Sequence, residues 1–228
     1  MNPRQPVTPP TGAAVRVESV NLGLPRALTR EGHVRQTGIF KEPTPERVVV
    51  APLGLGGDHV LDGKVHGGPG QAVYLYGVED YAWWASELGR DLPPGTFGEN
   101  LTVSGLDVPD LRTGDRLVLP DATLEFTAPR VPCETLAARM GDPGFVKRFA
   151  RARRPGVYAR VLAPGSVQVG ESGRLERASG DLPGILERFD LVYDPPTDRE
   201  ALRRLLAAPI DERSRARYTE LLARLGEP

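Results

Sequence analysis

The sequence predicts an α+β, mainly β protein, a barrel or sandwich with helices on its outside, and three observations carry that prediction. Seven short segments have strand-like spacing and are bounded by Gly, Pro or Asp. Regular intervening helices are missing between them, which points to a closed or two-layered β architecture. From about Ser179 the spacing changes, and leucines recur at helical intervals.

The elements follow in order. Met1 to Thr11 is rich in proline and has no apolar stretch, so residues 1–12 are expected to be a flexible start. Ala13 to Val20 reads as a strand because Val15, Val17 and Val20 sit among polar residues, with a slip of phase at the end. Further strands are expected over Arg47 to Ala51, Ala72 to Tyr76, Asn100 to Val103, Arg116 to Leu119, Thr123 to Thr127 and Val157 to Leu162. Between them, Val78 to Leu88 is helical: Tyr81, Trp84, Ala85 and Leu88 share a face, Glu79 and Asp80 suit the first turn, and Gly89 supplies the stop. A second helix is expected to start with Asp142 as cap and Pro143 at the first position, burying Phe145 and Phe149 and ending before Pro155. Beyond Pro183-Gly184 and Asp194-Pro195-Pro196, one stripe is Leu202, Leu205 and Leu206, and another is Tyr218, Leu221, Leu222 and Leu225. The predicted organisation is a barrel over 13–178 and a small helical extension over 179–228, separable enough that the barrel would fold without it.

Composition narrows the function. At 228 residues, with 39% hydrophobic and 26% charged residues and a formal net charge of -1, the chain reads as an ordinary globular protein without a bulk charge for nucleic acid. No window approaches ~20 apolar residues and no secretory leader is legible, so a cytoplasmic location without membrane attachment is expected. Positive charge is nearly all arginine, whose planar fork suits phosphate. A single cysteine forms no internal disulfide, four-cysteine zinc site or iron–sulfur cluster. Walker, dinucleotide-glycine and paired-histidine zinc motifs are missing too.

Several segments could carry chemistry, each with a structural alternative. Cys133, in Ala128-Pro129-Arg130-Val131-Pro132-Cys133, sits before a short helical pattern, where the helix start and Arg130 would favour the thiolate; equally, it could be a small buried hydrophobe. His66-Gly67-Gly68-Pro69-Gly70 exposes backbone N–H groups that can cradle an anion with His66 as a further donor, or simply makes a tight turn. Glu99 and Asn100 could bond a heterocyclic ring edge or close their own loop, and Asp58 after Gly56-Gly57 invites the same two readings. Arg160 alternates with Val157, Ala159 and Val161 in a strand, so it faces either an anion inside the barrel or solvent outside it.

Taken together, Thr37-Gly38-Ile39-Phe40-Lys41, Gly54-Leu55-Gly56-Gly57-Asp58, Val65-His66-Gly67-Gly68-Pro69, Phe97-Gly98-Glu99-Asn100-Leu101 and Pro129-Arg130-Val131-Pro132-Cys133 occur in an order that closely resembles the YiiM-type MOSC family. The resemblance runs from about Ala13 to Arg177 and includes Gly156-Val157-Tyr158-Ala159-Arg160-Val161; the tail also looks like that family's helical extension. It implies a MOSC-type β-barrel that binds the molybdenum–pterin cofactor, with Cys133 as metal ligand and catalytic centre. It further implies Lys41, Arg130 and Arg160 as holders of the cofactor's phosphate, and His66 and Asn100 in the pocket wall. Two departures stand out: many relatives read Asp-Lys where this chain has Gly70-Gln71, and many have Lys where it has Thr135.

Through its likeness to amidoxime-reducing components, the resemblance implies reduction of small N-hydroxylated compounds such as hydroxylaminopurines. A soft thiolate suits molybdenum, and a phosphate-bearing pterin suits arginines and backbone donors. With no flavin or nicotinamide motif, an external electron-donor protein is required, and the tail would serve either as a docking site for it or as a homodimer contact. The alternative from another class is a sulfur-carrier or cofactor-handling protein with a persulfide on Cys133, since MOSC domains also resemble part of cofactor sulfurases.

Overall fold

The computed structural model describes residues 14–30, 33–61 and 67–226. Its centre is a closed barrel. The strands are β1 (Ala14–Gly23), β2 (Arg26–Arg30), β3 (His33–Thr37), β4 (Lys41–Thr44), β5 (Val48–Ala51), β6 (Gly54–Leu55), β7 (Val73–Gly77), β8 (Leu101–Ser104), β9 (Arg116–Val118), β10 (Thr123–Ala128), β11 (Val157–Ala163), β12 (Gly165–Val167) and β13 (Ser172–Glu176). Seven of them run β13-β9-β10-β11-β7-β8-β1 and close through β1 pairing with β13, while β4 extends the sheet beyond β1. Closure leaves the barrel strands without a free edge. All barrel pairs are antiparallel except β7 and β8. A parallel pair needs a crossover, and the predicted helix α1 (Val78–Leu88) supplies it.

Alternation along the strands divides the side chains into two cores. Val15, Val17, Val73, Leu75, Leu124 and Phe126 belong to the aliphatic cluster that fills the barrel. The intervening Tyr74 and Tyr76 point the other way, into an aromatic layer with Trp84, Phe97, Phe145 and Phe149. In that layer Trp84 Nε1 donates to the Tyr76 hydroxyl at 2.8 Å, which donates to the Arg154 carbonyl at 2.9 Å. The slip of phase in the first strand is a bulge between Val17 and Ser19 in its pairing with β8.

Helices α2 (Glu134–Met140) and α3 (Phe145–Ala152) cover the aromatic layer. The second predicted helix begins at Phe145 with Gly144 as its cap, not at Pro143 with Asp142 as cap: Asp142-Pro143-Gly144 is a turn in which Asp142 Oδ1 accepts from Gly144 N at 2.8 Å. Six strands escaped the sequence reading. The hairpin β2–β3 and the short β4, β6, β12 and β13 hold few apolar residues in alternation, and β4 contains Pro43, which suits its edge position.

The C-terminal helices are α4 (Ile185–Tyr193), α5 (Arg199–Ala207) and α6 (Glu212–Arg224). They form a small cluster around Leu202, Leu205 and Tyr218, yet Ile185 belongs to the aliphatic cluster of the barrel and Phe189 to the aromatic layer. Arg188, fully buried, donates to the Thr127 carbonyl of β10 and to Asp211 Oδ2 at 3.1 Å. The extension is thus anchored in both cores. No helix among the described residues is long and apolar enough to cross a membrane.

Candidate functional site

Because the barrel interior is packed solid, the pocket lies on its outer face. Tyr74 of β7 and Tyr158 of β11 are register partners on that face, with ring centroids 4.9 Å apart, and they form the floor. The turn after β10 brings in Arg130 and Cys133, the connection from β3 to β4 brings Gly38, the first residue of β4 is Lys41, and the hairpin β2–β3 covers the opening with Leu28 and Arg35. Together these enclose a cavity of about 140 Å³.

Lys41, Asn100, Arg130 and Cys133 line this one cavity, although they come from three separate sequence blocks. Lys41 does not offer a free charge. Its ammonium is paired with Asp58, and both side chains are almost fully buried. Burial pushes the Lys41 pKa below the ordinary lysine value against the opposing pull of Asp58. Asp58 also accepts from Gly23 N and Asn100 Nδ2, each at 2.8 Å, while Asn100 Oδ1 accepts from Tyr74 N at 3.1 Å. The Asn100 amide is therefore largely spent on bracing the wall. Replacing Asp58 by alanine would leave an uncompensated buried ammonium, and a loss of about 3–5 kcal/mol in denaturant unfolding is expected.

Arg130 is different. It is buried, and among the described residues it has no carboxylate partner. Its contacts are Nη1 at 3.5 Å from the Tyr158 hydroxyl, Nη2 at 3.9 Å from Cys133 Sγ, and the Tyr74 ring at 5.2 Å; Nε has no hydrogen-bond partner. Burial opposes its charge, but Tyr158, Tyr74 and Cys133 around it, with Glu99, hold its pKa above the usual arginine value. A buried guanidinium in this state calls for an anion. Cys133 is half-buried at the start of α2, and its carbonyl accepts from Leu136 and Ala137 N at 3.0 and 3.1 Å. A cation beside sulfur favours the thiolate, the form that ligates a soft metal.

Arg160 lies elsewhere. Val157 and Ala159 take the interior positions of β11, so Arg160 faces outward, and its Nη2 donates to the carbonyls of Pro209 and Ile210 at 3.0 and 2.8 Å. It holds the C-terminal extension and does not line the pocket, so the expected cluster of Lys41, Arg130 and Arg160 does not form. His66 falls outside the described residues. Glu99 closes its own loop: Oε1 accepts from the Tyr81 hydroxyl and Gly95 N at 2.6 Å and from the Thr102 hydroxyl at 2.7 Å, and burial raises its pKa.

Tyr74, Tyr158, Asp58 and Arg213 are functional candidates that motif reading missed or left open. The tyrosines were legible in principle, since they alternate with aliphatic residues in two strands and so had to share the outer face. Arg213 had no local signal. From α6 its Nη1 donates to Gly67 O at 3.0 Å and Gln71 Oε1 at 2.6 Å. Glu212 accepts from Gly70 N at 3.0 Å, and a Cβ on Gly70 would come within 2.8 Å of Asp211 Cα. The Gly70-Gln71 departure thus matches a close approach of the tail.

Residues 62–173 match the model of the MOSC domain. The chain is 35% identical over 212 residues to a Bacillus subtilis (strain 168) protein named "Uncharacterized protein YflK", covering 92% of this chain and 95% of that one. It is 32% identical over 161 residues to a Gibberella moniliformis (strain M3125 / FGSC 7600) protein named "Reductase", covering 67% of this chain and 26% of that one. The crystal structure of YiiM from Geobacillus stearothermophilus superposes with a TM-score of 0.75 at 26% identity, over 91% of this chain and 99% of that one. With the barrel, the order of its motifs and a relative matched end to end all in agreement, the chain belongs to the MOSC domain family and is of the YiiM type.

Proposed function

We propose that this chain binds a molybdenum–pterin cofactor through Cys133 and reduces small N-hydroxylated compounds with electrons from an external donor protein. The observation that carries the reading is the pairing, in one pocket, of the half-buried Cys133 with a buried guanidinium that has no carboxylate partner among the described residues. A thiolate ligand and an unneutralised cation suit a sulfur-ligated, phosphate-bearing group. When bound, the metal would supply two electrons by cycling its oxidation state. The chain's own residues would do the rest. Arg130 would hold negative charge, and Lys41, Asp58 and Asn100 would keep the wall rigid. Leu28 and its hairpin would limit water. The name of the fungal relative is consistent with reductive chemistry.

The test is metal and pterin analysis of the full chain made in a host with an intact cofactor pathway, followed by assay with an N-hydroxylated purine and a supplied electron donor. Molybdenum and pterin at about one per chain, with turnover, are expected. A persulfide on Cys133 without molybdenum would replace this reading with sulfur transfer, and loaded protein that turns over no N-hydroxylated substrate would overturn the reductase assignment.

A further inference from the structure

We propose that the Tyr158 hydroxyl donates the proton to the oxygen that leaves when an N–OH bond is reduced in this pocket. The inference rests on the reductase reading above and adds to it the residue that carries the acid chemistry. In the overall change, R–NH–OH with two electrons and two protons gives R–NH2 and water. The N–O bond breaks with its electron pair going to oxygen, while the two electrons from the external reductant go to nitrogen. Hydroxide is a poor leaving group, so a proton delivered to that oxygen as the bond breaks lowers the barrier. The second proton reaches nitrogen from solvent, and solvent restores Tyr158.

The pocket offers few protons that can move. Arg35 and Arg130 are guanidinium groups that do not release one near neutral pH. Lys41 is held in its ion pair with Asp58. The Tyr74 hydroxyl already donates to the Pro155 carbonyl at 2.8 Å, on the far side of the floor. His59 Nδ1 lies 3.2 Å from the Gly23 carbonyl. Tyr158 stands apart from these. Its hydroxyl accepts from Arg130, and among the described residues it donates to no acceptor. Its ring is fixed by packing against Tyr74 and by its place in β11, with the edge open to the cavity.

Position makes the hydroxyl useful. Arg130 touches Tyr158 with Nη1 and Cys133 with Nη2, so one guanidinium spans the sulfur where electrons would arrive and the oxygen where the proton would depart. After transfer, the tyrosinate would face that same guanidinium, which has no carboxylate competing for it among the described residues. Before transfer, burial holds the Tyr158 pKa above the ordinary value, so the group keeps its proton at neutral pH.

The experiment compares parent and Tyr158→Phe as loaded, full-length protein on an N-hydroxylated base and on its O-acetyl ester, whose acetate leaves without needing a proton. Phenylalanine keeps the ring contact and removes only the long 3.5 Å contact from Arg130 Nη1, while the Cys133 and Tyr74 contacts of Arg130 remain, so the fold and the molybdenum and pterin content are expected to be unchanged. For the free N–OH substrate, kcat is expected to fall by ~100-fold with little change in KM, the size typical of a lost general acid. For the ester, kcat is expected to stay within about twofold of the parent, because the leaving group no longer depends on acid catalysis. Equal loss on both substrates, or loss of bound molybdenum, would make Tyr158 a positioning residue and overturn the proposal; no loss on either would overturn it outright. A loaded parent that reduces neither substrate is a distinguishable result, which overturns the reductase reading on which the proposal stands.

Discussion

Cys133→Ser is expected to abolish both molybdenum retention and reduction of N-hydroxylated substrates while leaving the circular dichroism spectrum of the parent. A serine hydroxyl is a harder and far less acidic ligand than a thiol, so at neutral pH it does not present the anionic soft donor that this metal needs. The fold should tolerate the change because the side chain is half-buried at the pocket wall and the turn around it is held by backbone bonds from Leu136 and Ala137. Were Cys133 only a packed hydrophobe, serine would cost about 1–3 kcal/mol through burial of a hydroxyl and would spare activity in the folded fraction. Metal analysis and turnover, measured on the same folded preparation, separate the two roles. Parental turnover by the serine variant would sink the ligand assignment.

The second large effect concerns the C-terminal extension. A chain ending at Ser179 is expected to lose its cooperative thermal transition. Truncation strips Ile185 from the aliphatic cluster and Phe189 from the aromatic layer, both fully buried, and such losses cost about 2–5 kcal/mol each. It also removes Arg188 from the Thr127 carbonyl, and it exposes the aliphatic residues that Ile185 covers. Against a typical net stability of about 5–15 kcal/mol, the sum leaves little or nothing. Thermal melting followed by circular dichroism checks this, and a sharp transition within a few degrees of the parent would show that the barrel folds alone. Sequence analysis predicted such a separable unit because it registers the proline-rich break before Thr197, whereas the anchoring residues Ile185, Arg188 and Phe189 precede that break.

The difference is instructive about what a sequence discloses. The barrel was legible because its strands carry alternating aliphatic residues, and Val73-Tyr74-Leu75-Tyr76 even encodes which side chains serve the interior and which the aromatic layer. Cys133 and Arg130 were legible because they share one short turn. Only the resemblance carried Arg160 to the pocket; it shares the outer face with Tyr158, but two residues along β11 it meets the Pro209 and Ile210 carbonyls, contacts that no spacing rule reports. Lys41 was placed in the right pocket, but its charge could not be read as spent without the distant Asp58. The grip of Arg213 on Gly67 and Gln71 links residues too far apart for any spacing rule, and only the folded chain displays it.

That grip sets an order of events in the cell. Gly67, Gly70 and Gln71 are held by groups that lie 142 or 146 positions further along the chain. During synthesis the barrel strands leave the ribosome before α6 does, so in a nascent chain the Gly67 to Gln71 side of the pocket is unsecured until α6 has emerged. The pocket is thus finished only after α6 docks, and a chain cut before Glu212 would keep Cys133 but leave the wall at Gly67 and Gln71 unfastened.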